Sequence, residues 1–143
     1  MSAPSIQGLR SYLLADATLA ALVSTRIFNF ELPASETASM PRQCVVLSLA
    51  GGPGSADYIR IGRIRIDVWN YGESPAKAWD VRQASHDALK HIRQDEKTIS
   101  GGSGVMLHNA IEASGPRNFK DPEGNYPVIL ETWIVTASEA VTT

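Results

Sequence analysis

The sequence predicts one α+β domain over residues 1–143, with two helices packed on an antiparallel or mixed sheet of about four main strands. Two segments place apolar residues at helical spacing, and the segments around them are strand-like. The chain of 143 residues is too short for two ordinary domains. A hydrophobic content of 43% with 20% charged residues is typical of a soluble globular chain and disfavours the disordered, collagen-like and coiled-coil classes.

In the first helical segment, from Ile6 onward, apolar residues recur at steps of three and four, and Ser2 or Ser5 can cap its start. These residues are Ile6, Leu9, Leu13, Ala17 and Ala20. Leu19, Leu22 and Val23 lie off this stripe, and Asp16 can cap a new turn. We therefore expect one kinked helix or two short ones.

The next segments are a short extended piece at residues 26–30 and a polar internal loop at residues 33–41. Residues 43–49 are rich in Val and Leu and end at a glycine-rich turn, which predicts a buried strand. Cys44 lies in this strand, where apolar neighbours disfavour its thiolate, so we interpret it as a core residue. A single cysteine cannot form an internal disulfide and indicates a reducing compartment.

The strongest strand signal runs from Tyr58 to Trp69, where the apolar positions change from odd to even numbers across Gly62. A one-residue slip would turn every side chain to the other face, so this change predicts a β-bulge at Gly62 and Arg63. At about 3.3 Å per residue the strand would span roughly 40 Å. We expect so long a strand to project from the domain or bend.

The second helix is predicted to begin at Ser74, an N-cap followed by Pro75, and to run to about Arg93. Its buried stripe is narrow and made mainly of small residues, namely Ala78, Val81, Ser85, Ala88 and Ile92. A polar, glycine-ended segment follows at residues 95–104. Residues 105–113 and 126–137 are then predicted to pair as a hairpin around a turn at residues 121–125.

No residue pattern indicates catalysis, a cofactor or a metal. His86 and His91 lie five positions apart on one helix and point in different directions, and the chain has no HExxH or CxxC motif. His108 is interpreted as a hydrogen-bonded strand residue, and the strand carboxylates show no pairing rule. The glycine clusters lack the phosphate-binding patterns and are interpreted as turns. The sequence therefore predicts a protein that is not an enzyme.

Arginines crowd the long strand at Arg60, Arg63 and Arg65. Such a row can face phosphate or the carboxylates of a neighbouring subunit. The other interpretation is a solvated strand face whose arginines protect a sheet edge.

Trp79 lies off the buried stripe of the second helix, on the side that also carries Gln83, His86 and Lys90. An aromatic residue there is either covered by a loop of its own chain or used at an interface. Together with the three arginines, these four residues are the candidate subunit or partner interface.

The order of these segments resembles the tail-completion, or tail-terminator, proteins of long-tailed bacteriophages and related particles. The similar segments are residues 9–23, Arg26 to Phe28, Pro41 to Leu49, Ile64 to Trp69, the helix from Ser74 and the strand ending near Trp133 to Val135. The resemblance implies an α+β structural protein that forms a sixfold ring on the end of the tail tube, stops tube growth and offers a surface to the head connector. It implies three partners: other copies of the chain, the tail-tube protein and a neck protein. It also implies assembly in the host cytoplasm and a final place at the head–tail junction.

Three other classes of function stay open. Another neck component, such as a head-completion or adaptor protein, would bind the portal side. A small α+β enzyme or ligand-binding module would need a deep pocket that gathers His108, Cys44 or the strand carboxylates. Direct DNA binding is disfavoured by a net charge of −2 and a pI near 5.9. No apolar stretch approaches the roughly 20 residues of a membrane span, and the N-terminus has no signal-peptide pattern.

Overall fold

The computed structural model describes residues 4–40, 42–50, 61–92, 95–98, 104–120 and 126–139. These residues contain four helices and six strands in an α+β arrangement, which confirms the predicted fold class. In chain order they are α1 Pro4–Leu14, α2 Ala17–Val23, β1 Ile27–Asn29, α3 Ala34–Thr37, β2 Cys44–Leu49, β3 Ile61–Tyr71, α4 Pro75–Lys90, β4 Asp95–Thr98, β5 Gly104–Lys120 and β6 Pro127–Glu139.

The strands form one sheet in the order β1-β2-β3-β6-β5-β4. Strands β1 and β2 are parallel and the other neighbours are antiparallel, so the sheet is mixed. The four main strands that the sequence predicts are β2, β3, β5 and β6, and the predicted hairpin is formed by β5 and β6. The polar segment after α4 contains a strand that the sequence did not predict, because Asp95–Thr98 pairs with Gly104–Leu107. An edge strand needs a partner on one side only and tolerates the charged residues found there.

The first helical segment is broken where the sequence predicts. The Asp16 side chain accepts a hydrogen bond from the Leu19 backbone N–H at 2.9 Å and caps α2. The new helix turns Leu19 and Val23 into the core, whereas Ala17 is exposed. Extending the first apolar stripe through Ala17 and Ala20 was therefore wrong, because the break changes which face of the helix is buried.

Helices α1, α2 and α4 cover one face of the sheet, which we call the helix face. A continuous core lies between them, with Leu9, Leu19 and Leu89 from the helices and Ile66 and Trp133 from the strands. Neighbouring side chains on a strand point to opposite sides of the sheet, so the intervening residues form a second face.

A smaller apolar cluster covers one end of the second face. It contains Cys44, Val46, Tyr71 and Val128, with Phe28, Leu32, Met40, Trp69 and Tyr126 packed around them. The loop predicted at residues 33–41 supplies part of this cover and contains the one-turn helix α3, which corrects the prediction of a plain loop. Glu36 in that turn is buried and takes a bidentate ion pair from Arg42. The Arg42 guanidinium lowers the pKa of the Glu36 carboxyl.

Strand β3 differs from its prediction in one respect. Its register against β6 is continuous from Ile61, opposite Ser138, to Tyr71, opposite Val128, so the described strand has no bulge at Gly62 and Arg63. Residues 58–60 lie outside the described residues. The register shifts occur instead in β5, between Leu107 and Ser114 and again before Arg117. Strand β4 pairs with only the first four residues of β5, and all of these shifts lie beyond that pairing.

Helix α4 begins as predicted and ends at Lys90, three residues before the predicted end. The Ser74 hydroxyl accepts from the Lys77 backbone N–H at 3.3 Å, and all five residues of the predicted stripe are buried. Gly72 joins β3 to this helix at very close range. A Cβ atom at Gly72 would lie 2.2 Å from the backbone nitrogen of Ala78, so only glycine fits there.

Candidate functional site

The register of three strands builds an exposed patch at the uncovered end of the second face. Arg65 pairs with Ile134 and Ile134 with Ile111, while Arg63 pairs with Thr136 and Thr136 with Asn109. We call these six residues the open sheet face. All six point away from α4, because their alternate neighbours form the helix face.

The open sheet face combines cations with apolar surface. Arg63 and Arg65 are exposed, and no ion pair links either arginine to another described residue. Ile111 is 56% exposed, unusual for so large an apolar side chain. In the next row of the same face Thr132 donates its hydroxyl proton to Asp67 at 2.7 Å. Arg60, the third predicted arginine, lies outside the described residues.

A second exposed patch lies on α4. Trp79 is 44% exposed, and Asp80, Gln83 and Lys90 are also exposed. Gln83 donates a hydrogen bond to Asp87 at 3.2 Å, and the Lys90 ammonium lies 3.4 Å from the same carboxylate. We call these five residues the outer α4 surface. The structure therefore brings together three of the four helix residues that the sequence grouped as a candidate interface.

His86, the fourth of those residues, belongs to an internal network. Its Nδ1 atom lies 2.8 Å from a Glu112 carboxylate oxygen, and its ring packs against Trp133 with centroids 5.3 Å apart. The sequence assigned it to the outer surface because it lies seven residues after Trp79. The correction is that α4 leans on β5 and β6, so the flank that carries His86 is half-buried.

Sequence reasoning missed the centre of this network, the ion pair between Arg82 and Glu131. Arg82 Nε donates to Glu131 Oε2 at 2.9 Å, and Arg82 Nη2 lies 3.5 Å from Glu112. The Glu131 side chain has no exposed area and that of Arg82 is 8% exposed. Burial raises the pKa of the Glu131 carboxyl, although the Arg82 guanidinium opposes that rise. The signal in the sequence was the position of Arg82, three residues from Ser85 and four from Ala78 on the buried stripe.

The network continues into the sheet through neutral groups. The Ser85 hydroxyl lies 2.8 Å from Asn70 Oδ1 and 3.3 Å from Glu131 Oε1, and the Asn70 amide donates to the Ile129 carbonyl at 3.0 Å. At its outer end, the Arg82 guanidinium lies 5.0 Å from the centre of the Trp79 ring, a cation–π contact. A buried network thus ends directly beneath the exposed indole.

Three ligand-type side chains, His86, Glu112 and Glu131, place one donor atom each within 4.8 Å of the others. Arg82 already supplies a cation to both carboxylates at 2.9 and 3.5 Å. A metal ion would have to displace a buried guanidinium, so the donor set fits an ion-pair network better than a metal centre.

A small cavity also bears on the enzyme alternative. It has a volume of about 210 Å³ and lies where α1 and α2 meet α4, lined by Tyr12, Asp16, Thr18, Ala84, Asp87, Ala88 and His91. Neither His108 nor Cys44 lines it, and burial raises the pKa of the Cys44 thiol to about 12. A thiol in that state is not a nucleophile at neutral pH, which agrees with its interpretation as a core residue.

No protein-family model matches this chain, and no curated protein matches it. Among solved structures, it is similar to a chain from the virion of a native gene transfer agent particle, with a TM-score of 0.63 and 18% sequence identity. The match covers 96% of this chain and 99% of that chain. At this identity the likeness shows a shared fold. In the described parts of the chain, no helix is long and apolar enough to span a membrane.

Proposed function

We propose that this protein is a structural component of a phage-like particle, and specifically the protein that caps the end of the tail tube as a ring. In this role it ends tail elongation and provides the surface that joins the head connector. The observation that carries the proposal is the fold match to a virion chain, which covers 96% of this chain and 99% of that chain. The sequence resemblance to tail terminators supports the same role independently.

The exposed side chains support a structural role. The buried charges of Arg82 and Glu131 neutralise each other, and the small cavity holds neither His108 nor Cys44. The exposed groups are arginines beside isoleucine on one face and a tryptophan beside carboxylates on another. Tryptophan and arginine are the residues most enriched at the energetic centres of protein interfaces.

The oligomeric state and the position of the protein on tail tubes test the proposal together. Light scattering over a concentration series, with negative-stain images of the largest species, is expected to show closed rings of about six subunits. Gold-labelled protein mixed with growing tail tubes from the same particle is expected to mark tube ends and stop elongation. Tubes that grow to normal length with no label at their ends would contradict the tail-terminator role.

Another neck component is the second candidate, because the matched structure is a whole virion and the fold match alone does not separate one small component from another. A head-completion or adaptor protein would bind the portal side of the junction. Binding to purified portal or connector rings, with no binding to tube ends, would favour this candidate.

A further inference from the structure

We propose that the open sheet face of one copy receives the outer α4 surface of the next copy, with Arg63 and Arg65 facing Asp80 and with Trp79 packed against Ile111 and Ile134. The inference rests on the proposed function only for the closure of these contacts into a ring. The contact itself is a property of two surfaces of this chain.

The two surfaces lie on opposite sides of a two-layer domain. Helix α4 packs on the helix face, through residues such as Val81 and Leu89, and its outer surface points away from the sheet. Arg65 and its neighbours point away from the helices on the other side. A head-to-tail contact needs two different patches on each copy, and opposite patches allow copies to join in series until the rotation closes a ring.

The charges of the two surfaces are complementary. Arg63 and Arg65 give the open sheet face two cations that pair with no described residue, and the nearby Asp67 is hydrogen-bonded to Thr132. On the outer α4 surface, Asp80 and Asp87 lie seven residues apart on the same outward stripe. Asp87 is shared between Gln83 and Lys90, whereas no ion pair links Asp80 to another described residue. The guanidinium of Arg65 and the carboxylate of Asp80 are thus suited to form a bidentate pair.

The apolar parts of the two surfaces also correspond. Trp79 is 44% exposed and its ring is held from below by the Arg82 guanidinium at 5.0 Å, which is itself fixed by Glu131. A preorganised indole loses little conformational freedom on binding. Ile111 and Ile134 are register partners on adjacent strands and present a flat apolar strip beside Arg65. A tryptophan on such a strip, ringed by ion pairs, has the anatomy of an interface centre.

Charge reversal with rescue tests the pairing. The variants are R63E/R65E on the sheet face, D80R on the helix, and the triple variant R63E/R65E/D80R. The control is T25R, which adds the same cation at an exposed turn before β1, the strand at the opposite edge of the sheet from β4. Assembly is measured by sedimentation and light scattering of the protein alone, and by the number of labelled copies on tail-tube ends. Circular dichroism and thermal melting check that every variant folds.

The expected result is that R63E/R65E and D80R each weaken association by about tenfold or more, since each places like charges opposite each other. The triple variant should recover to within about threefold of the wild type, and T25R should not change association. Reversals that leave association unchanged, or a triple variant as weak as its parents, would overturn the inference. Rings that form and cap tubes regardless of these changes would overturn the inference alone. A wild type that neither self-associates nor marks tube ends would overturn both the inference and the proposed function.

Discussion

Replacing Arg82 by Met tests how the buried ion pair stabilises the fold. Met keeps most of the length and apolar volume of the arginine stem but removes the guanidinium, which lies 2.9 Å from Glu131. The Glu131 side chain has no exposed area, so water cannot replace the lost cation. We expect the carboxyl to take up a proton instead, because an isolated charge in that position is strongly disfavoured.

The destabilisation expected for R82M is set by the free energy needed to keep the Glu131 carboxyl protonated. The ordinary pKa of the carboxyl is 4.5, so keeping it protonated in the folded state at pH 7 costs about 3 kcal/mol, at about 1.4 kcal/mol per pH unit. This is a ceiling, because burial already raises the pKa of Glu131 in the wild type. The direction of the pH dependence follows from the raised pKa of Glu131. The contribution of this carboxyl to stability is fully present below pH 4.5 and is lost as the pH rises through its folded-state pKa.

Urea unfolding of R82M and wild type across pH 5 to 8 measures this effect. R82M should lose about 3 kcal/mol at pH 7, or about 10 °C in Tm for a chain of this size, and far less at pH 5. The double variant R82M/E131L removes both charges and should recover most of the loss, and its stability should change far less with pH from 5 to 8 than that of R82M. A loss in R82M that is the same at pH 5 and pH 7 would refute the reasoning, because it would mean that Glu131 does not take up a proton.

Three further predictions concern single positions. Ser24 ends α2 with a φ of 55°, which strains a residue that carries a Cβ, so S24G should raise the free energy of unfolding in urea by about 1 kcal/mol whereas S24A should not. Changing Gly72 to Ala brings a Cβ within 2.2 Å of the Ala78 backbone and should cost about 3 kcal/mol or more in thermal melts; Gly115 to Ala, where the nearest atom is 3.5 Å away, is the matched control and should cost far less. The Cys44 thiol, with a pKa of about 12, should resist a thiol reagent at pH 8 in the native protein and react at once in urea; rapid labelling of the native protein would contradict its burial.

Local signals in the sequence predicted the elements whose ends are set by their own residues. Asp16 caps α2 through a hydrogen bond three residues away, and Ser74 does the same for α4. The small residues of α4 were buried as predicted, because a narrow stripe of Ala and Ser fits only close to a sheet. Each of these features depends on residues within one or two helical turns, which is the range over which spacing carries information.

The features that the sequence did not predict depend on distant partners. Strand β4 is polar and exists because β5 offers it an edge. Strand β3 stays in register at Gly62 because β6 pairs with it along its whole length. Helix α3 brings Glu36 into a buried site that Arg42 neutralises. In each case the deciding contact is absent from the local pattern, so the local sequence indicated only a polar segment, a bulge and a polar loop.

Dependence on a distant partner also explains why the sequence predicted the exposed residues of the candidate site but missed the buried ion pair beneath them. Arg82 and Glu131 lie 49 positions apart, and each alone has the signature of a solvent-facing residue; only their pairing makes burial of both tolerable. Because the pair joins α4 to β6, it helps the apolar contacts of Val81 and Leu89 to set the rotation of the helix on the sheet. That rotation sets the direction in which Trp79 and Asp80 point relative to the strand face that carries Arg65. The buried network is thus a positioning element for the exposed surface of α4 above it.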